Sequence, residues 1–165
     1  MEVYRIEAMR PEHARMISGW KYPGEYGIYS FEPSAGLTNE LLDGSYFACT
    51  DELGRLIGFF CFGVSAQIPT SGGYVYSADF LDVGLGLAPD FCGRGLGPDF
   101  LRAGLDFACR ELGGSAFRLT VACFNRRAIC VYERLDFRVV AEVTHQHSGM
   151  RFQIMARAGK EDSLC

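Results

Sequence analysis

The stretch Leu81-Asp82-Val83-Gly84-Leu85-Gly86-Leu87-Ala88-Pro89-Asp90-Phe91-Cys92-Gly93-Arg94-Gly95-Leu96-Gly97-Pro98 decides how this chain is read. Val83, Leu85 and Leu87 alternate with Asp82, Gly84 and Gly86, the period-two pattern of a strand. Two glycines inside a strand mark a bulge, or a place where another group comes close to the backbone. Pro89 ends the ladder because it has no N–H to contribute. Pro98 instead suits a first helical turn. Leu101, Leu105, Ala108 and Leu112 follow it at helical spacing, with Phe100 and Phe107 widening the apolar stripe. A glycine-rich loop, Cys92 to Gly97, therefore joins a strand to a helix N-terminus. Backbone N–H groups beside the positive end of a helix dipole bind phosphate, so the pattern predicts a phosphorylated ligand at this loop.

The chain has 165 residues, a length that predicts one domain over 1–165, with the ligand-binding core at about 81–140. Its net charge of −4 and pI near 5.4 argue against a surface for nucleic acid or anionic membrane. No apolar run approaches the length of about 18 residues that a membrane helix needs. Met1-Glu2-Val3-Tyr4-Arg5 lacks the basic start and apolar run of a signal peptide, so the expected location is the cytoplasm.

Seven cysteines (49, 61, 92, 109, 123, 130 and 165) are odd in number, and no two form Cys-x-x-Cys. No histidine pair completes a zinc spacing, so no metal is expected. Most of them sit in apolar runs, as small buried hydrophobes do. Cys92 is set apart by its place in the glycine loop, where a helix N-terminus could acidify a thiol. A nucleophilic cysteine needs a histidine partner, and nothing marks His13, His145 or His147 as one.

Outward from the loop, Val3 to Ala8 alternates as a first strand, and Pro11 opens a helix through about Ile17. The aromatic segment Trp20 to Phe31 is either a ligand wall or a loop folded onto the core, and a short helix at about Thr38 to Leu42 follows. Tyr46 to Thr50 and Leu56 to Phe62 form a hairpin around Asp51-Glu52-Leu53-Gly54. Gly63 to Asp79 reads as loop. Beyond the central helix, Gly113-Gly114 is a stop signal, and Phe117 to Cys123 is a strand. Asn125 opens a helix whose apolar side is Ala128, Ile129, Tyr132 and Leu135. Phe137 to Val143 and Met150 to Ala156 close the chain as an antiparallel pair, and a polar tail begins at Lys160. The order predicts an α/β domain with a mixed sheet and helices on both faces.

Two blocks of this sequence together resemble the GCN5-related N-acetyltransferase (GNAT) superfamily, and ribosomal-protein N-acetyltransferases within it. One is Leu87-Ala88-Pro89 followed by Cys92-Gly93-Arg94-Gly95-Leu96-Gly97. The other is Asn125-Arg126-Arg127-Ala128-Ile129-Cys130-Val131-Tyr132-Glu133-Arg134-Leu135-Asp136-Phe137. Cys92 stands where the family has Gln or Arg, and Asp136 where it has glycine, at a position where φ can be positive. A dinucleotide-binding fingerprint fits less well, because its third glycine would be Pro98 and Phe117 to Cys123 holds no acid. A Walker loop is excluded, since no Gly-Lys-Ser/Thr occurs.

The resemblance implies a mostly antiparallel sheet splayed at the cofactor-binding strand, and acetyl-CoA as the acyl donor. Its pyrophosphate would lie on Cys92, Gly93, Arg94, Gly95, Leu96 and Gly97, and its pantetheine arm would pair with Leu85 and Leu87. Asn125 would hydrogen-bond that arm, although helix capping alone accounts for an Asn there. By spacing, Tyr132 is a packing residue; by resemblance it is the general acid for the leaving thiolate. The glutamate that ribosomal relatives carry five residues before the Asn is Thr120 here, which cannot serve as a base. By resemblance Asp82 takes that role, although a solvated strand end alone accounts for an Asp there, with Glu25, Asp79 or a water chain in reserve. The implied reaction moves an acetyl group to a primary amine, on a small molecule or a peptide N-terminus, in a monomer or homodimer. A module that binds CoA without transferring from it is the alternative.

Overall fold

The computed structural model describes residues 3–159; the tail expected from Lys160, and Cys165 within it, lie outside the described residues. The described residues form eight strands and four α-helices in the order β, α, α, β, β, β, β, α, β, α, β, β. The strands are β1 (Arg5–Ala8), β2 (Tyr46–Thr50), β3 (Leu56–Phe62), β4 (Thr70–Ser71), β5 (Leu81–Leu87), β6 (Phe117–Ala122), β7 (Arg138–His145) and β8 (Arg151–Arg157). The helices are α1 (Pro11–Ser18), α2 (Ala35–Leu41), α3 (Gly97–Leu112) and α4 (Arg126–Arg134). Hydrogen-bonded neighbours run β1-β2-β3-β5-β6-β8-β7-β4. The sheet is mixed and mostly antiparallel, with β5 and β6 as its parallel pair among the registers described. Contacts cluster the chain into two compact units.

The first unit takes the chain through Cys61 together with Leu85–Leu96. Here β1 pairs β2, and β2 pairs β3, both antiparallel. Every residue of β3 is buried, which is why its sequence lacks polar alternation. Pro11 begins α1 as its sequence predicts, and Ala14 and Ile17 face inward. The second helix starts earlier than expected, at Ala35, because the Ser34 side chain accepts the Leu37 N–H and caps it. The segment between α1 and α2 forms a 3₁₀ turn over Gly24–Tyr29, which leaves no apolar period to read.

The second unit takes Phe62–Gly84 and the chain from Gly97 onward. β6, β8 and β7 pair antiparallel, with a register shift in β7 between Val139 and Ala141. β4 lies in a segment expected to be loop; it adds Thr70 and Ser71 to β7 opposite His145 and Thr144. A two-residue strand is too short to carry a period. On α3, residues Phe100, Leu101, Leu105, Phe107 and Ala108 are buried, whereas Leu112, expected on the same stripe, is 43% exposed at the helix end. Asp136 adopts φ +70°, the only left-handed non-glycine among the described residues, as its place in the second sequence block suggested.

Candidate active site

In the first unit the end of β5 leads into a 3₁₀ turn, Pro89–Phe91, and then into the glycine loop. Gly93 and Gly95 sit at φ +73° and +74°, conformations that side-chain-bearing residues rarely adopt. A Cβ on Gly95 would meet nothing within 4 Å, so glycine is required there by backbone conformation and by nothing packed against it. The Arg94 guanidinium lies 5.1 Å from the Phe91 ring centroid. It forms no ion pair with any described residue. Arg55 approaches the same ring at 5.5 Å, but its charge is matched by Asp51 at 2.7 Å. The loop thus carries two left-handed glycines on either side of a cation with no carboxylate partner among the described residues.

Cys92 does not occupy a helix N-terminus. Helix α3 begins five residues later, and the Cys92 thiol donates weakly to the carbonyls of Ala88 (3.5 Å) and Leu87 (3.8 Å). Other cysteines depart from the buried expectation: Cys130 is exposed, and Cys109 and Cys123 are half-buried.

Gly86 answers the question its sequence raised. A Cβ there would lie 2.5 Å from Cε1 of Phe59, so the group that comes close to this strand is an aromatic ring of the protein itself. Trp20 and Phe31 pack on that ring at 6.2 and 5.9 Å between centroids. The two ends of the aromatic segment therefore pack on the unit's core, while Gly24–Tyr29 between them buries no residue. The Tyr22 hydroxyl donates to the Leu87 carbonyl at 2.6 Å, a contact no sequence pattern announces. A cavity of about 680 Å³ lies nearby, with Trp20, Lys21, Arg55, Asp90 and Phe91 in its wall. Its cations are already matched, Lys21 by Glu32 and Arg55 by Asp51.

In the second unit Gly97 opens α3 against α4: a Cβ there would stand 2.8 Å from Cγ2 of Val131. Asn125 caps α4, its side-chain oxygen accepting the Ala128 N–H at 3.2 Å. Tyr132 is buried, its ring 6.3 Å from that of Phe137. Thr120 shares a hydrogen bond with the Tyr76 hydroxyl at 3.0 Å.

Asp82 is placed otherwise than expected for a base. Its carboxylate is 4% exposed and accepts from Arg118 twice, Nε to Oδ1 at 2.6 Å and Nη2 to Oδ2 at 2.7 Å. Gln67 donates to Oδ2 at 2.9 Å. The guanidinium also donates to the Ser77 carbonyl at 3.0 Å and lies over the Tyr76 and Phe80 rings. The Asp82 hydrogen bonds raise the Arg118 pKa against the opposing effect of burial. A carboxylate so held anchors the Arg118 guanidinium, a buried charge that would otherwise stand uncompensated. Arg118, which no motif flagged, had one signal: a lone charge in the apolar run of β6. Glu25 and Asp79 are exposed. Among the described residues no group of His, Cys, Asp and Glu could hold a metal ion, and no helix is long and apolar enough to cross a membrane.

The acetyltransferase (GNAT) domain family matches residues 6–138, across both units. The chain belongs to the GNAT acetyltransferase family. Its sequence is 40% identical over 91 residues to mycothiol acetyltransferase of Propionibacterium freudenreichii, a match covering 55% of this chain and 27% of that protein. Among solved structures, a GNAT-family acetyltransferase from Bacillus anthracis aligns with TM-score 0.72 at 12% identity, over 96% of this chain and 98% of that one. A spermidine N-acetyltransferase chimera from Vibrio cholerae aligns equally well, with TM-score 0.72 at 17% identity, over 94% and 95%. At these identities the two structures share the GNAT fold with this chain.

Proposed function

We propose that this GNAT protein transfers an acetyl group from acetyl-CoA to a primary amine by direct attack. The observation that carries the proposal is the loop itself. Gly93 and Gly95 are in the left-handed region, Arg94 has no carboxylate partner, and the chain runs on at once into a 16-residue helix. That combination suits a pyrophosphate: open backbone, one spare cation and a helix N-terminus. Leu85 and Leu87 offer backbone groups to the pantetheine arm, and Asn125 adds a side-chain contact while it caps α4.

In the reaction the amine nitrogen bonds to the thioester carbonyl carbon and the carbon–sulfur bond breaks. The Leu87 N–H stabilises the oxyanion that develops. Tyr132 gives its phenolic proton to the leaving thiolate. The amine's proton passes to water or to an exposed carboxylate, Glu25 or Asp79, since Asp82 is committed to Arg118. The acceptor is a small amine or a peptide N-terminus, and the protein acts in the cytoplasm as a monomer or homodimer.

The test is calorimetric titration with acetyl-CoA, followed by a turnover screen over polyamines, peptides and aminoglycosides. Gly95→Val puts a β-branched residue at φ +74° and bulk where the phosphates lie. At least a hundredfold weaker acetyl-CoA binding is expected, with the melting temperature recorded as a control. Equal affinity in wild type and variant would place the cofactor elsewhere.

A further inference from the structure

We infer that Tyr22 is a positioning residue for acetyl transfer: its hydroxyl fixes the Leu87–Ala88 peptide at the end of β5. The inference rests on the transferase proposal above, in which the Leu87 N–H faces the oxyanion.

The geometry lies wholly within the first unit. A peptide group is planar, so bonds to its carbonyl and its N–H together fix its orientation. The Leu87 carbonyl accepts from the Tyr22 hydroxyl at 2.6 Å, at the short end for an O–H donor. The N–H of the same peptide, that of Ala88, donates to the Ile57 carbonyl at 2.8 Å. Two segments distant in sequence thus clamp one peptide plane. Cys92 also reaches the Leu87 carbonyl, but at 3.8 Å a thiol is too weak a donor to replace the phenol.

Tyr22 is itself held. Its N–H donates to the Ser30 hydroxyl at 2.8 Å, and the Phe31 N–H donates to the Trp20 carbonyl at 3.1 Å. Trp20 and Phe31 flank Phe59, whose ring occupies the space left by Gly86. Burial, and then the nearby Cys92, push the Tyr22 hydroxyl well above its usual range, so it stays a proton donor at physiological pH. A clamp of this kind is useful where a backbone donor must already be aimed before charge develops. A preorganised oxyanion donor contributes about 10²–10³-fold to kcat. Loosening its neighbouring peptide forfeits part of that, roughly tenfold.

The experiment compares wild type, Tyr22→Phe and a variant with 4-aminophenylalanine at position 22, which keeps a donor on the same ring. Tyr22→Phe is expected to lower kcat about tenfold while the acetyl-CoA dissociation constant stays within about twofold. The amino variant should recover most of the loss. Amide exchange of the free protein should quicken several-fold at Ala88, whose N–H donates to the Ile57 carbonyl, in Tyr22→Phe, a readout that needs no turnover. If exchange there is unchanged, the clamp does not exist. If exchange quickens but kcat holds while wild type turns over, Tyr22 is structural. A wild type that transfers acetyl to no amine refutes the transferase proposal and with it the role of Tyr22 in transfer. The exchange result still stands alone on the clamp.

Discussion

Arg118 grips Asp82 through two parallel hydrogen bonds of 2.6 and 2.7 Å, from a position 36 residues away in sequence, with both side chains almost wholly buried. The pair joins β5 to β6 at one of the two registers described for those strands, Asp82↔Arg118. Removing one partner of a buried pair typically costs about 3–5 kcal/mol, because the other charge is left uncompensated. Asp82→Asn is therefore expected to lower the urea midpoint sharply. At a temperature where the variant is still folded, the acidic limb of its kcat/KM profile should keep the wild-type position. A limb that moved or vanished would return Asp82 to the chemistry.

Gly86 is fixed by the Phe59 ring, 2.5 Å from where a Cβ would be, and a ring edge in a packed cluster cannot step aside as a flexible chain end would. Gly86→Ala should cost about 1–3 kcal/mol by overpacking. Phe59→Leu in that background should restore part of the loss, although Phe59→Leu alone destabilises. Simple additivity in this double-mutant cycle would show that the two positions do not meet.

Tyr132→Phe keeps the buried ring beside Phe137 and removes the hydroxyl alone. General acid catalysis contributes about 10²–10⁴-fold, and a thiolate is already a fair leaving group, so a fall in kcat near the lower end is expected. KM for acetyl-CoA should barely move, the pattern of an interaction made only in the transition state. An unchanged kcat with chemistry rate-limiting would leave Tyr132 as packing.

Burial, followed by the charge of Asp51, pushes the Cys49 thiol from its ordinary value near 9 up to about 12. The folded state therefore resists an ionisation that the unfolded chain accepts. This contribution is intact below pH 9 and is lost as pH rises from there toward 12. At pH 10 the expected loss is on the order of 1 kcal/mol. Urea denaturation at pH 8 and pH 10 checks it, with Cys49→Ala expected to shrink the difference, the remainder coming from the Tyr22 and Tyr46 hydroxyls that burial also pushes up. In the native protein a thiol reagent at pH 8 should label exposed Cys130 and spare Cys49 and Cys61, read by mass spectrometry.

The sequence by itself determined whatever depends on neighbours along the chain. Strand β5, the turn at Pro89, the glycine loop and helix α3 follow from alternation, a missing N–H and helical spacing, all local properties. The cap at Asn125 and the left-handed Asp136 were legible for the same reason: each satisfies a backbone requirement within a few residues. Tertiary structure decided the rest. Asp82 could be read as a base until Arg118, 36 residues on, took both its oxygens. Gly86 could be read as a ligand approach until Phe59 filled its space. Tyr22 was readable only as one ring of the aromatic segment, since its partner Leu87 lies 65 residues further along. A side chain's chemistry is set by dielectric and by partners, and both are supplied by chain segments that only folding brings together.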